Sequence, residues 1–141
     1  MDSQMQRENA AEQKAIDMMI SDRSAIDPLV YARMYCFEQA VSSMLTGDTW
    51  DHAKSKLQRS VVILCEPVQK WLFDDGTRLL PLDWSEWMAT HKSLCTLLDQ
   101  QAIDYVVVTS TVQQIQDRVD FVLSLCELKE VAVIHNKQAG G

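Results

Sequence analysis

Three short runs rich in β-branched residues constrain this chain most: VVILC at 61–65, IDYVVVT at 103–109 and EVAVIH at 130–135. Stretches with helical spacing separate them. Strands joined through a helix cannot pair as a hairpin, so they must lie parallel, with right-handed crossovers. The span from Tyr105 to His135 has the length of one βαβ unit, about thirty residues. The expected fold class is therefore α/β: a helical N-terminal half, about 5–60, packed on a small, mainly parallel β-sheet with βαβ connections, about 61–135.

The intervening helices are well marked. In DWSEWMATHKSLCTLLDQQ, Asp83 and Glu86 have the spacing of a capping box. Trp84, Trp87, Met88, His91, Leu94, Cys95 and Leu98 form its apolar stripe. In TVQQIQDRVDFVLSLCE, Val112, Ile115, Val119, Val122 and Cys126 repeat at spacings of three and four. Between the first strand and the first of these helices, KWLFDDGTRLLPL reads in two ways. Asp75-Gly76 favours a hairpin turn, the preferred reading; Val68 to Phe73 as one helical turn is the other.

The first half reads as helix throughout. Residues 5–20 carry a weak stripe of Ala11, Ala15, Met18 and Met19. Asp27 as N-cap and Pro28 at the first helical position open a stronger helix. Val30, Met34, Phe37, Val41 and Met44 share one face of it, and Gly47 closes it. A short helix over about 49–58 should turn Trp50, Ala53 and Leu57 inward.

The 141 residues suit one domain, with 136–141 a fraying tail. The longest apolar run is Val61 to Cys65, far below the ~20 residues of a membrane-spanning helix. No secretory h-region opens the chain, so the expected location is cytoplasmic, with no membrane partner. The net charge is −7. Residues 1–60 hold 9 acidic and 7 basic side chains; residues 61–141 hold 11 and 6. No Lys/Arg cluster exists, which speaks against direct nucleic-acid binding. Acidic mimicry of nucleic acid is a weaker alternative, since the acids are scattered singly.

Cys36, Cys65, Cys95 and Cys126 show no ligand spacing and read as reduced, buried thiols. No metal or cofactor is expected. Three sets of candidate site residues remain. Thr109, Ser110 and Thr111 sit where a parallel strand runs into a helix, a place that suits an anion. They lack the glycines and lysine of a phosphate loop, so helix capping is the plainer reading. Cys65, Glu66, Ser110, His135 and Asn136 would gather on one rim if all three strands are parallel, with Cys65 and His135 as weak catalytic candidates. Trp71, Trp84, Trp87, Met18 and Met19 are candidates for a partner-binding surface.

Without a catalytic signature, the leading expectation is an acidic protein-binding module: an adaptor, an inhibitor or immunity-type protein, or an accessory or chaperone subunit. Its partner would be a protein, and the acidity favours one with a basic surface. A homodimer through the helix at 28–45 fits as well. The alternative is a small α/β enzyme or nucleotide- or anion-binding module using the rim around Cys65, Ser110 and His135.

Overall fold

The computed structural model describes residues 19–72 and 83–138, with side chains of the last helix through Glu127. Its elements run α1 (Ile26–Tyr35), α2 (Glu38–Met44), α3 (Asp48–Arg59), β1 (Ile63–Cys65), a 3-10 turn (Gln69–Trp71), α4 (Trp84–Gln100), β2 (Val106–Val108) and α5 (Ile115–Gln138). This is a small α/β fold with a helical N-terminal half. The helix expected over 5–20 lies outside the described residues, save Met19 and Ile20, which are irregular.

The helix expected over 28–45 is two helices. Ser24 and Asp27 close a capping box ahead of α1: Ser24 Oγ accepts from the Ile26 amide at 3.3 Å, and Asp27 Oδ2 accepts from the Ser24 amide at 2.7 Å. Asp27 thus fills the N3 role rather than the N-cap. At Cys36 and Phe37 the backbone turns extended, and Phe37 is 82% exposed rather than on a shared face. Tyr-Cys-Phe is a run of weak helix formers, and Glu38 suits the start of a new helix. Gly47 has φ +108° and precedes α3, so it opens that helix instead of closing the one before.

α1 and α4 pack against each other and carry most of the core. Ile26, Leu29, Val30 and Ala32 meet Leu97 and Leu98, with Val41, Trp50, Ala53, Leu64 and Ile103 joining from around them. Trp50 is buried with its indole N–H donating to Gln101 Oε1 at 3.3 Å, so the ring's one polar atom is satisfied.

β1 and β2 are neighbours and parallel, with Ile63 opposite Val106, Leu64 opposite Val107 and Cys65 opposite Val108. α4 makes the connection, so the βαβ unit in the structure is β1–α4–β2. The one expected over 105–135 does not form, because EVAVIH belongs to the 24-residue α5. Between Ile115 and His135 the sequence offers no Gly, Pro or Asn to turn the chain, and ELKE supplies strong helix formers where an αβ loop would have to sit. The first arm of the expected hairpin is likewise absent: Gln69–Trp71 is a 3-10 turn. Its Asp74-Asp75-Gly76 corner and second arm lie outside the described residues. No helix among the described residues is long and apolar enough to cross a membrane.

Candidate functional site at the strand-end rim

The parallel register sets the ends of β1 and β2 side by side. The ladder runs one bond past β1, from the Glu66 amide to Val108 O at 3.0 Å. Glu66 therefore leaves its strand beside Thr109, and its carboxylate meets the loop beyond β2. Glu66 Oε2 accepts from the Ser110 amide at 2.6 Å. The loop is a turn closed by the Val112 amide on Thr109 O at 3.2 Å, with the Thr109 and Thr111 hydroxyls 2.6 Å apart.

Two cations brace this turn from outside. Arg118 Nε donates to Val112 O at 2.6 Å and its Nη2 to Thr109 O at 3.1 Å. Its guanidinium lies 4.7 Å from the centre of the Trp71 ring, a cation–π contact. Lys70 Nζ, on the same 3-10 turn as Trp71, donates to Gln113 Oε1 at 2.6 Å. The 3-10 turn after β1 and the loop after β2 are thereby tied into one rim.

Glu66 is held below the usual carboxylate range. Its bond to Ser110 is the largest cause; the charges of His91 and Arg118 add to it, and partial burial opposes. The rim thus presents an ionised carboxylate, two hydroxyls, an ammonium and a guanidinium at the carboxyl ends of parallel strands. That is where ligands of open α/β sheets bind.

The expected residues are redistributed. Thr109, Ser110 and Thr111 cap no helix, since α5 begins at Ile115. The Ser110 amide does hold an anion, supplied by Glu66 of the same chain. Cys65 is exposed at the rim, and Cys36 is exposed too, so neither is the buried thiol expected. Cys65 alternates outward because Leu64 beside it turns into the core. His135 and Asn136 fall near the far end of α5, about 30 Å along the helix from Ile115 at 1.5 Å per residue, and do not join the rim. Trp71 and Trp84 are each 37% exposed, and Met19 is 42% exposed. Met18 lies outside the described residues. Trp87 and Met19 line a groove of about 670 Å³ between α1, α3, β1 and α4. Sequence reading missed Lys70 and Arg118. Lys70 had one signal, its place five residues past the end of β1; nothing local in the sequence marks Arg118.

The family model for the AAA domain matches residues 1–118, a stretch that holds β1, β2, the loop and Arg118. The chain belongs to the AAA domain family. No curated protein and no solved structure matches it. That family is of nucleotide-binding type, a type against which the chemistry of the rim can be set. An ionised carboxylate beside hydroxyls and two cations suits the phosphate end of a nucleotide with its cation. A glycine-rich loop that wraps phosphate oxygens, GxxxxGK followed by Ser or Thr, does not occur in residues 1–141 of the AAA chain. The rim residues therefore meet part of what a nucleotide requires, and no catalytic step is assigned to them.

Proposed function

We propose that this chain is a nucleotide-binding α/β module whose strand-end rim faces the phosphates. The carrying observation is the Glu66 carboxylate, fixed by the Ser110 amide between two strand ends and within reach of the charge of Arg118, with Lys70 tied to Gln113 after the same loop. In this reading Glu66 orders the water shell of a phosphate-bound divalent cation. Lys70 gives up its bond to Gln113 and pairs with a phosphate oxygen. Arg118 keeps the loop in place through its two carbonyls, and Thr109 and Thr111 supply hydroxyls. A bound magnesium ion would neutralise phosphate charge that Glu66 alone would repel.

Calorimetric titration with ATP, with and without magnesium, tests this. Binding should require magnesium, and Lys70→Ala should weaken it by about fivefold or more. Lys70 is exposed, so its loss leaves the fold intact. Absence of magnesium-dependent binding to the unaltered chain overturns the reading.

A second reading keeps the chain as a protein-binding module, an adaptor, inhibitor or accessory subunit. The groove lined by Met19 and Trp87, together with exposed Trp71 and Trp84, favours it. Its acidity would steer it to a basic partner surface. Recovery of one stoichiometric partner, lost on Trp87→Ala, distinguishes this reading from the first.

A further inference from the structure

α5 leaves the rim with an apolar face turned to solvent. Among the described residues, no helix or strand packs along it as α4 packs on α1. Ile115 is 72% exposed, Leu123 51% and Val119 43%, with Val122 and Cys126 half-buried between them. At 3.6 residues per turn these five side chains fall within an arc of about 100°. Asp117, Asp120 and Glu127 lie outside that arc, so the stripe itself carries no charge.

The spacing says what kind of surface fits the stripe. Ile115, Val119, Val122 and Cys126 are separated by four, three and four residues, the alternating a and d positions of a two-stranded coiled coil. A helix of the same period fills such a seam, and a second copy of this chain supplies one. Residues 28–45 cannot offer a second copy a continuous seam, because that helix breaks at Cys36 and Phe37, whereas α5 is unbroken. Lipid fits the stripe poorly. Helices that lie on membranes carry Lys and Arg on the polar face. Through Glu127, α5 sets three acids against Arg118 alone, and Arg118 is tied to the rim loop.

Charge also selects an orientation. Arg118 borders the stripe on one side, and Asp120 and Glu127 lie beyond Leu123 on the other. A parallel pair related by a two-fold axis sets the arginine side of each helix against the acidic side of the other. An antiparallel pair sets acid against acid.

We propose that α5 pairs in parallel and in register with α5 of a second copy, through Ile115, Val119, Val122 and Cys126, with Leu123 closing one side of the seam. Arg118 fastens each rim to the start of its own α5, so both rims stand at the same end of the dimer. Helix axes packed about 10 Å apart leave about 5 Å between facing Cα atoms, which is the span of a disulfide. Cys126 of one copy then faces Cys126 of the other. This pairing stands independently of the nucleotide reading.

Sedimentation equilibrium of the reduced full chain tests it. The seam is short, so the chain should be monomeric at about 1 µM and mostly dimeric at about 200 µM. Val119→Glu places two carboxylates in the seam and should keep the chain monomeric over the whole range. Phe121, 39% exposed, lies outside the stripe on the far side of the helix, and Phe121→Glu should leave association unchanged. The register is read in the Cys36→Ser, Cys65→Ser double variant, which lacks the two exposed thiols. Mild oxidation at the higher concentration should give a covalent dimer, with the disulfide located by mass spectrometry between the two copies of Cys126. A chain that stays monomeric at about 200 µM overturns the proposal. So does a dimer that survives Val119→Glu, one that Phe121→Glu disrupts, or one in which Cys126 does not join Cys126.

Discussion

At the scale of single residues, the Glu66–Ser110 bond carries most of the rim's logic. A carboxylate that accepts from a backbone amide fixes the loop after β2 against the end of β1. Glu66→Gln keeps an acceptor in place but removes the charge. Because Glu66 is partly exposed, solvent screening holds the loss to under about 1 kcal/mol at neutral pH. The pH dependence has a definite sign. The folded chain holds Glu66 below its ordinary value of 4.5, so its contribution is present above that value and is lost as pH falls through the lower folded one. Urea unfolding of the two proteins should therefore differ at pH 7 and converge in acid. A difference that persists in acid would assign the effect to side-chain shape instead of charge. Tyr105 works in the opposite direction: its folded value near 12 means that its contribution is present below its ordinary value of 10.0 and declines from there toward 12.

At the scale of elements, helix ends decided how much of the fold could be read in advance. α3 was legible from the helical spacing of Trp50, Ala53 and Leu57, although Gly47 was assigned to the wrong helix, and α4 was legible because Asp83 is a strong cap signal next to regular apolar spacing. The Asp83 carboxylate accepts from the Glu86 amide at 2.9 Å, as the sequence spacing requires. The break at Cys36 was not legible, because no Gly or Pro marks it and Phe37 continues the apolar spacing while facing solvent. EVAVIH misled for the converse reason: its β-branched residues favour a strand locally, but the chain before it contains nothing that can end a helix. The rim was half legible. Glu66 and Ser110 follow from strand order, whereas Arg118 reaches back nine residues to the Thr109 carbonyl, a contact no local pattern encodes. The end of α4 offers a direct test of this level. Ile103 N donates to Leu98 O at 3.0 Å and Ala102 N to Asp99 O at 3.1 Å, a Schellman closure with Ala102 at φ +52°. An alanine in that conformation is strained by its Cβ. Ala102→Gly should raise stability by about 0.5–1 kcal/mol in urea unfolding, strain relief exceeding the added freedom of the unfolded chain. A loss of stability would mean that the turn imposes no strain at Ala102.

At the scale of the whole molecule, the helical half and the βαβ half share one core. Leu98 sits where they join: it is 1% exposed, it faces α1, and its carbonyl closes the turn leading to β2. Ile103, 2% exposed, follows that turn and belongs to the same cluster. A cavity at Leu98 would loosen α1 from α4 and also the approach to β2 that sets the rim's register. Leu98→Ala should therefore cost about 3 kcal/mol or more, within the range of buried leucine truncations. Ile115, at 72% exposed, opens α5 outside that cluster, and Ile115→Ala should stay within about 0.5 kcal/mol. The two substitutions together separate a single shared core from two independent ones. With one core, Leu98→Ala shifts the unfolding midpoint seen by far-ultraviolet circular dichroism and by tryptophan fluorescence equally, because Trp50 and the helices unfold together. Two separated midpoints would show that the N-terminal helices and the strand pair fold on their own, and the rim would then owe its geometry to the β1–α4–β2 unit alone.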